Sequence, residues 1–112
     1  MLSKVNTSAV NGLSAMPVFL EVNCQQLHAQ DATSLYFMVG LPDNAVGESK
    51  LRVENALLSS GVKLPDRMKF TINFAPADVR KEGSGYDLPL ALGLMASVGQ
   101  VPAEKLSRYV LV

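Results

Sequence analysis

Residues 88–98 place the strongest constraint on what this chain can become. Read as a helix, they are apolar on every side, with Leu90, Ala91, Leu92, Leu94, Met95 and Ala96 leaving no polar face. Such a helix is buried twice, by its own sheet and by a second cover. A chain of 112 residues is one domain's worth, so the second cover is expected from another domain or subunit. Gly93 inside the helix then reads as a close-packing position. Asp87 is a candidate N-cap, with Pro89 tolerated in the first turn.

Four stretches read as strands for this helix to cover. Residues 4–10 form the weakest. Residues 16–24 alternate, with Val18, Leu20 and Val22 on one face and Phe19 and Glu21 on the other. Residues 34–39 are short and aromatic-rich, and residues 68–74 place Met68, Phe70, Ile72 and Phe74 on one face. The polar segment 25–33 reads as a hairpin connection. A first helix opens at Leu41-Pro42-Asp43 and runs to about Ser60, where Gly61 supplies a left-handed C-terminal residue. Val46, Val53, Ala56, Leu57 and Ser60 are its expected inner stripe. Glu48/Arg52 and Lys50/Glu54 are opposite-charge i,i+4 pairs on a solvated face. Residues 109–112 look like the start of a further strand, so the chain is expected to be part of something longer.

Ten basic residues balance ten acidic ones, which argues against a domain that grips nucleic acid by bulk charge. With 48% apolar and 18% charged residues the chain is no disordered segment. A single cysteine, Cys24, excludes an intramolecular disulfide and a cysteine-based zinc site, and reads as a small buried side chain. His28, the one histidine, is assigned to a surface loop. The N-terminus has no apolar secretion segment, and the uncharged stretch 88–103 is too short for a bilayer. No membrane partner and a cytoplasmic location are the expectation.

The segment from Asn73 to Pro89 joins a strand end, a charged glycine loop and a helix N-terminus. Backbone N–H groups at Gly83, Ser84 and Gly85, with Arg80 and Lys81 beside them, are candidates to hold an anion. The same glycines equally serve as turn residues before a capped helix. No Gly-x4-Gly-Lys-Ser/Thr string occurs, so the chain has no phosphate loop of that type.

Three strings carry a resemblance. They are Met38-Val39-Gly40-Leu41-Pro42-Asp43-Asn44-Ala45-Val46-Gly47-Glu48-Ser49, then Asn73-Phe74-Ala75-Pro76-Ala77-Asp78, then Lys81-Glu82-Gly83-Ser84-Gly85-Tyr86-Asp87-Leu88-Pro89-Leu90-Ala91-Leu92. They resemble the bacterial magnesium-chelatase-like AAA+ ATPases, the YifB or competence-protein ComM family, in the domain that precedes the ATPase module. The resemblance covers residues 10–101. It implies an α/β (α+β) fold, a Lon-protease-like sandwich of the ribosomal protein S-five domain-two superfamily, with a mixed sheet and two main helices in a single domain, 1–112. Lon-type proteases use a serine–lysine dyad whose serine lies in a Lys-Asp-Gly-Pro-Ser-Ala-Gly string. Laid on Lys81-Glu82-Gly83, that string puts Gly85 at the nucleophile position. Ser84 is one residue early, which turns a side chain by about 100° at a helix start. Proteolysis is therefore not expected, and no catalytic residue is assigned.

What the resemblance implies about function is a hexameric ATP-driven motor of DNA branch migration and recombination, of the competence type. This chain would be its non-catalytic amino-terminal domain. ATP and magnesium are expected to be cofactors of the full-length protein, with none held here and no metal site. The expected partners are its own AAA+ module and neighbouring subunits. The docking face is expected at Leu90, Leu92, Leu94 and Met95. DNA is the alternative partner, through Lys63, Arg67 and Lys69 with Arg80 and Lys81. Seven basic against five acidic residues in 48–82 is a slight excess, which a mixed solvated surface also explains.

Overall fold

Four alternating runs pair into one mixed sheet in the computed structural model, which describes residues 2–11, 13–28, 33–40, 44–76 and 86–111, with only the backbone at Asn11 and 44–47. Strand β1 is Leu2–Asn11, β2 is Ser14–Gln26, β3 is Leu35–Val39 and β4 is Met68–Ala75. Their order is β1-β2-β4-β3, with β2 antiparallel to both β1 and β4, and β3 parallel to β4. The expected faces hold. Val18, Leu20 and Val22 of β2 and Phe70, Ile72 and Phe74 of β4 are all buried. The register sets Leu20 opposite Phe74, Val22 opposite Ile72 and Cys24 opposite Phe70, so apolar side chains form continuous rows. Each such side chain stabilises the fold by about 1.5–3 kcal/mol relative to exposure.

β2 and β3 do not form the expected hairpin, because β4 lies between them; of the segment 25–33, Gln25 and Gln26 belong to β2 and 29–32 lie outside the described residues. Parallel neighbours need a crossover, and the first helix, α1 (Asn44–Ser59), is the one that joins β3 to β4. The Leu27 N–H donates to the Arg67 carbonyl at 2.7 Å, tying the end of β2 to the entry of β4.

Helices α1 and α2 (Asp87–Ser97) pack on one face of the sheet, and the short α3 (Ala103–Leu106) follows. Gly61, at φ 77°, ends α1 as expected: Val62 N–H donates to Leu57 O and Gly61 N–H to Leu58 O. The same pair of hydrogen bonds ends α2 at Gly99, φ 84°, where Gln100 N–H donates to Met95 O and Gly99 N–H to Ala96 O. The expected opening at Leu41-Pro42-Asp43 and the Val46 side chain lie outside the described residues, and over the rest of α1 the inner stripe is narrower than expected. Ser49, Val53 and Leu57 are buried, whereas Ala56 and Ser60 are exposed, because α1 seats one i,i+4 row on the sheet and turns Ala56 toward α2.

Helix α2 buries Pro89, Leu90, Gly93, Leu94, Ala96 and Ser97. Tyr86 precedes it as the N-cap residue and packs edge-on against Phe74, with ring centres 5.6 Å apart. Asp87 is therefore the first helical residue and caps nothing. A short bridge at the other end pairs Val110 with Asn6 in parallel, with Leu111 N–H donating to Asn6 O at 2.8 Å and Thr7 Oγ1 to Leu111 O at 2.6 Å. That places the strand-like end beside β1. Among the described residues, no buried side-chain nitrogen or oxygen lacks a partner.

Candidate functional site

The residues nominated from the sequence separate in the fold. Arg80, Lys81, Gly83, Ser84 and Gly85 lie outside the described residues. Lys63 and Arg67 line a cavity beside α1, while Lys69 points from the opposite face of the sheet, 5.3 Å from the Phe37 ring centre. The three cations therefore share no single face. Leu90 and Leu94 correct the expected docking face: both are fully buried core residues, because they sit on the row of α2 that faces the sheet. Leu92 and Met95 remain half-buried on the far side of the helix.

The outer surface of the helical layer carries exposed leucines among the charged pairs of α1. Leu88 is 48% exposed on α2, and Leu51 and Leu58 are 61% and 68% exposed on α1. A groove of about 320 Å³ runs between the helices, lined by Val53, Ala56, Leu88 and Ala91 and bounded by Arg52 and Asp87. The i,i+7 spacing of Leu51 and Leu58 was a readable signal for this outer row. The helix–helix clamp was not, because its two halves are 35 residues apart in the chain.

That clamp is a fork. Arg52 Nε donates to Asp87 Oδ2 at 2.9 Å and Nη2 to Oδ1 at 3.1 Å, while the Ser49 hydroxyl also donates to Oδ1. Lys50–Glu54 and Arg52–Glu48 are pairs at 4.0 and 3.9 Å. The Arg52 hydrogen bond holds the Asp87 carboxyl below its ordinary value, against partial burial, with Ser49 helping. A carboxylate held this way is a weak base, and Ser49 is 1% exposed, so the pair is no nucleophile–base couple. Because the folded-state pKa is depressed, the clamp's stabilisation is complete above the carboxyl's unfolded value. It is lost as pH falls through the lower folded value. A double-mutant cycle of Arg52→Met and Asp87→Asn is expected to show favourable coupling in urea unfolding at neutral pH, and smaller coupling at an acid pH below the carboxyl's ordinary range. Coupling of equal size at both pH values would contradict it.

The sheet face away from the helices is open. Lys4 Nζ lies 4.2 Å from the Phe19 ring centre, and Leu35, Phe37 and Val39 are 43%, 47% and 54% exposed. Cys24 is buried, and burial raises its thiol pKa, so it is a packing residue as expected. His28 is exposed outside the strands. Among the described residues no three His, Cys, Asp or Glu side chains gather to hold a metal ion. No helix among them is long and apolar enough to cross a membrane.

Comparison with known proteins agrees with the resemblance in the motifs. A family profile for subunit ChlI of Mg-chelatase matches residues 25–112. The chain is 44% identical over 111 residues to the protein YifB of Escherichia coli, covering 99% of this chain and 21% of that protein. It is 42% identical over 111 residues to YifB of Salmonella typhimurium, with the same coverage of each. It is 36% identical over 108 residues to the competence protein ComM of Haemophilus influenzae, covering 96% of this chain and 20% of that protein. The chain thus spans about a fifth of the length of the curated relatives it matches. With a family profile matched over most of its residues and near-complete alignment to YifB and ComM, the chain belongs to the Mg-chelatase subunit ChlI family, in its YifB–ComM branch.

Proposed function

We propose that this chain is a non-catalytic domain that docks onto and positions the AAA+ module of a DNA-processing, ATP-driven motor of the competence type. The observation that carries the reading is the set of exposed leucines on the outer surface of the helical layer. Leu51 and Leu88 are exposed, and Leu92 and Met95 are half-buried on the side of α2 away from the sheet, so large apolar side chains stand ready to be covered there. The all-apolar α2 is covered on one side by the sheet and only partly on the other, which suits a neighbouring module or subunit. ATP and magnesium belong, on this reading, to the part of the longer protein outside these 112 residues. The Lon-like, S-five domain-two assignment of the fold goes with the same reading, and the element order β-β-β-α-β-α supports it.

The test uses Leu51→Glu with Leu88→Glu in the full-length gene product. Both side chains are at the surface, so thermal unfolding is expected to change little. ATP-dependent assembly, followed by sedimentation, and ATP turnover are expected to fall at least about tenfold. Unchanged assembly and turnover would remove the docking reading. A second reading, contact with single-stranded DNA, is favoured by the Lys4–Phe19 and Lys69–Phe37 pairs on the open sheet face. It requires binding that weakens steeply with salt and that Lys4→Ala with Lys69→Ala reduces.

A further inference from the structure

A cavity of about 580 Å³ opens between the C-terminal half of α1, β3 and the segment leading into β4. Its size is that of a small-molecule site. Leu57, Val62, Leu64 and the Tyr36 ring supply an apolar floor, and Lys63, Asp66 and Arg67 stand at the mouth. The floor is rigid. The Tyr36 ring stacks on Phe70 with centres 5.1 Å apart, and Lys50 Nζ lies 4.4 Å from the Tyr36 ring centre. Burial, then the Glu54 charge and its hydrogen bond, raise the Tyr36 hydroxyl to about 12, so it stays protonated. Glu54 is in turn paired with Lys50, so the acidic group inside the cavity is already compensated.

The mouth differs. Among the described residues neither Lys63, Asp66 nor Arg67 has a side-chain ion pair, and all three are exposed. Two cations against one acid leave one net positive charge over an apolar floor. Arg67 is moreover held at φ 60°, a left-handed conformation that a non-glycine residue adopts at a cost. Two bonds impose it: Leu27 N–H donates to Arg67 O at 2.7 Å and Met68 N–H to Ser34 Oγ at 3.2 Å. These bonds hold the Arg67 backbone at the rim.

We propose that this cavity binds an apolar carboxylate, its hydrocarbon on Leu57, Val62, Leu64 and Tyr36 and its single negative charge at Lys63 and Arg67. A free small acid and the C-terminal apolar residue of a peptide share that chemistry. The site stands apart from the groove between α1 and α2, so its failure leaves the docking reading untouched.

The experiment titrates the isotope-labelled 112-residue chain with phenylpropionate, phenylpropanol and phenylpropylamine, followed by amide NMR shifts. The carboxylate is expected to give saturable shifts within 57–68 and 33–36. It should bind about fivefold more tightly than the alcohol, with the amine weakest. Lys63→Gln with Arg67→Gly should bring carboxylate and alcohol to the same affinity. Glycine relieves the left-handed strain, so this variant is expected to keep its fold, as dispersed amide signals would show. Acetyl-phenylalanine against its amide separates the sources: preference for the acid supports a peptide terminus, and phenylpropionate binding alone supports a free acid. Equal affinity of acid and alcohol, saturable shifts only elsewhere, or no saturable shift would overturn the proposal. So would a short oligothymidylate that moves the same amides at lower concentration.

Discussion

Gly40→Ala is expected to lower the unfolding free energy by about 3 kcal/mol, the sum of a left-handed backbone penalty and a backbone collision. Gly40 leaves β3 at φ 83°, and a Cβ there would stand 2.3 Å from the carbonyl oxygen of Phe74. No side-chain rotation relieves that contact, because the obstacle is main chain in β4 and the Phe74 side chain is buried in the core. β3 must move from β4 or the strand end must tilt, and either loosens the parallel pairing. Gly61→Ala is the control. Its φ is 77°, yet nothing lies within 4 Å of the added carbon, so only the conformational penalty, about 1 kcal/mol, is expected. Urea unfolding measures both. Equal losses would mean that the contact with Phe74 contributes nothing.

Gly93→Leu is the second large effect, again about 3 kcal/mol, and its cause is overpacking. An added Cβ at Gly93 would meet Val22 Cγ2 at 2.8 Å and Val5 Cγ2 at 3.3 Å, both from fully buried side chains of the sheet. The Gly93 carbonyl also accepts the Ser3 hydroxyl at 2.8 Å, so α2 is held close to β1 at this point. Gly93→Ala is a finer probe. Alanine gains up to about 1 kcal/mol in helix propensity, which the contact with Val22 must exceed for the variant to be destabilised. Combining it with Val22→Ala should cost less than the two single changes added together. Strict additivity would show that the helix moves away as a rigid body instead of pressing on Val22.

Much of the fold was readable because it rests on periodicity. The alternation in residues 16–24 and 68–74 gave the correct buried faces, since a strand's two-residue repeat leaves each side chain one choice of face. The end of α1 at Gly61 was readable for an equally local reason: the left-handed residue follows the last helical turn. Gly93 was recognisable as a packing site because it interrupts an otherwise apolar helix. The position of β3 was not. Nothing in the sequence marks β3 as the partner of β4 rather than of β2, and that choice is made by the parallel β3–β4 pairing.

The candidate site was less legible still. Asp87 has the composition and place of a helix cap, yet its carboxylate is taken by Arg52 and Ser49 from another helix. Lys63, Arg67 and Lys69 are neighbours in the chain but are divided between the cavity and the open face, because Lys63 and Arg67 precede β4, Arg67 in a left-handed conformation, while Lys69 lies within β4 and alternates away from the buried Phe70.

By itself the sequence determined which residues are apolar at which period, where α1 stops, and, through its motifs, the family. Those properties are set by residues within one or two turns of each other. The tertiary structure decided the strand order, the exchange of Leu90 and Leu94 from docking face to core, and the outward position of Leu88. An all-apolar helix has no polar stripe to orient it. Its rotation is fixed only when Gly93 closes on Val5 and Val22 and Asp87 meets Arg52, contacts between residues 35 or more positions apart.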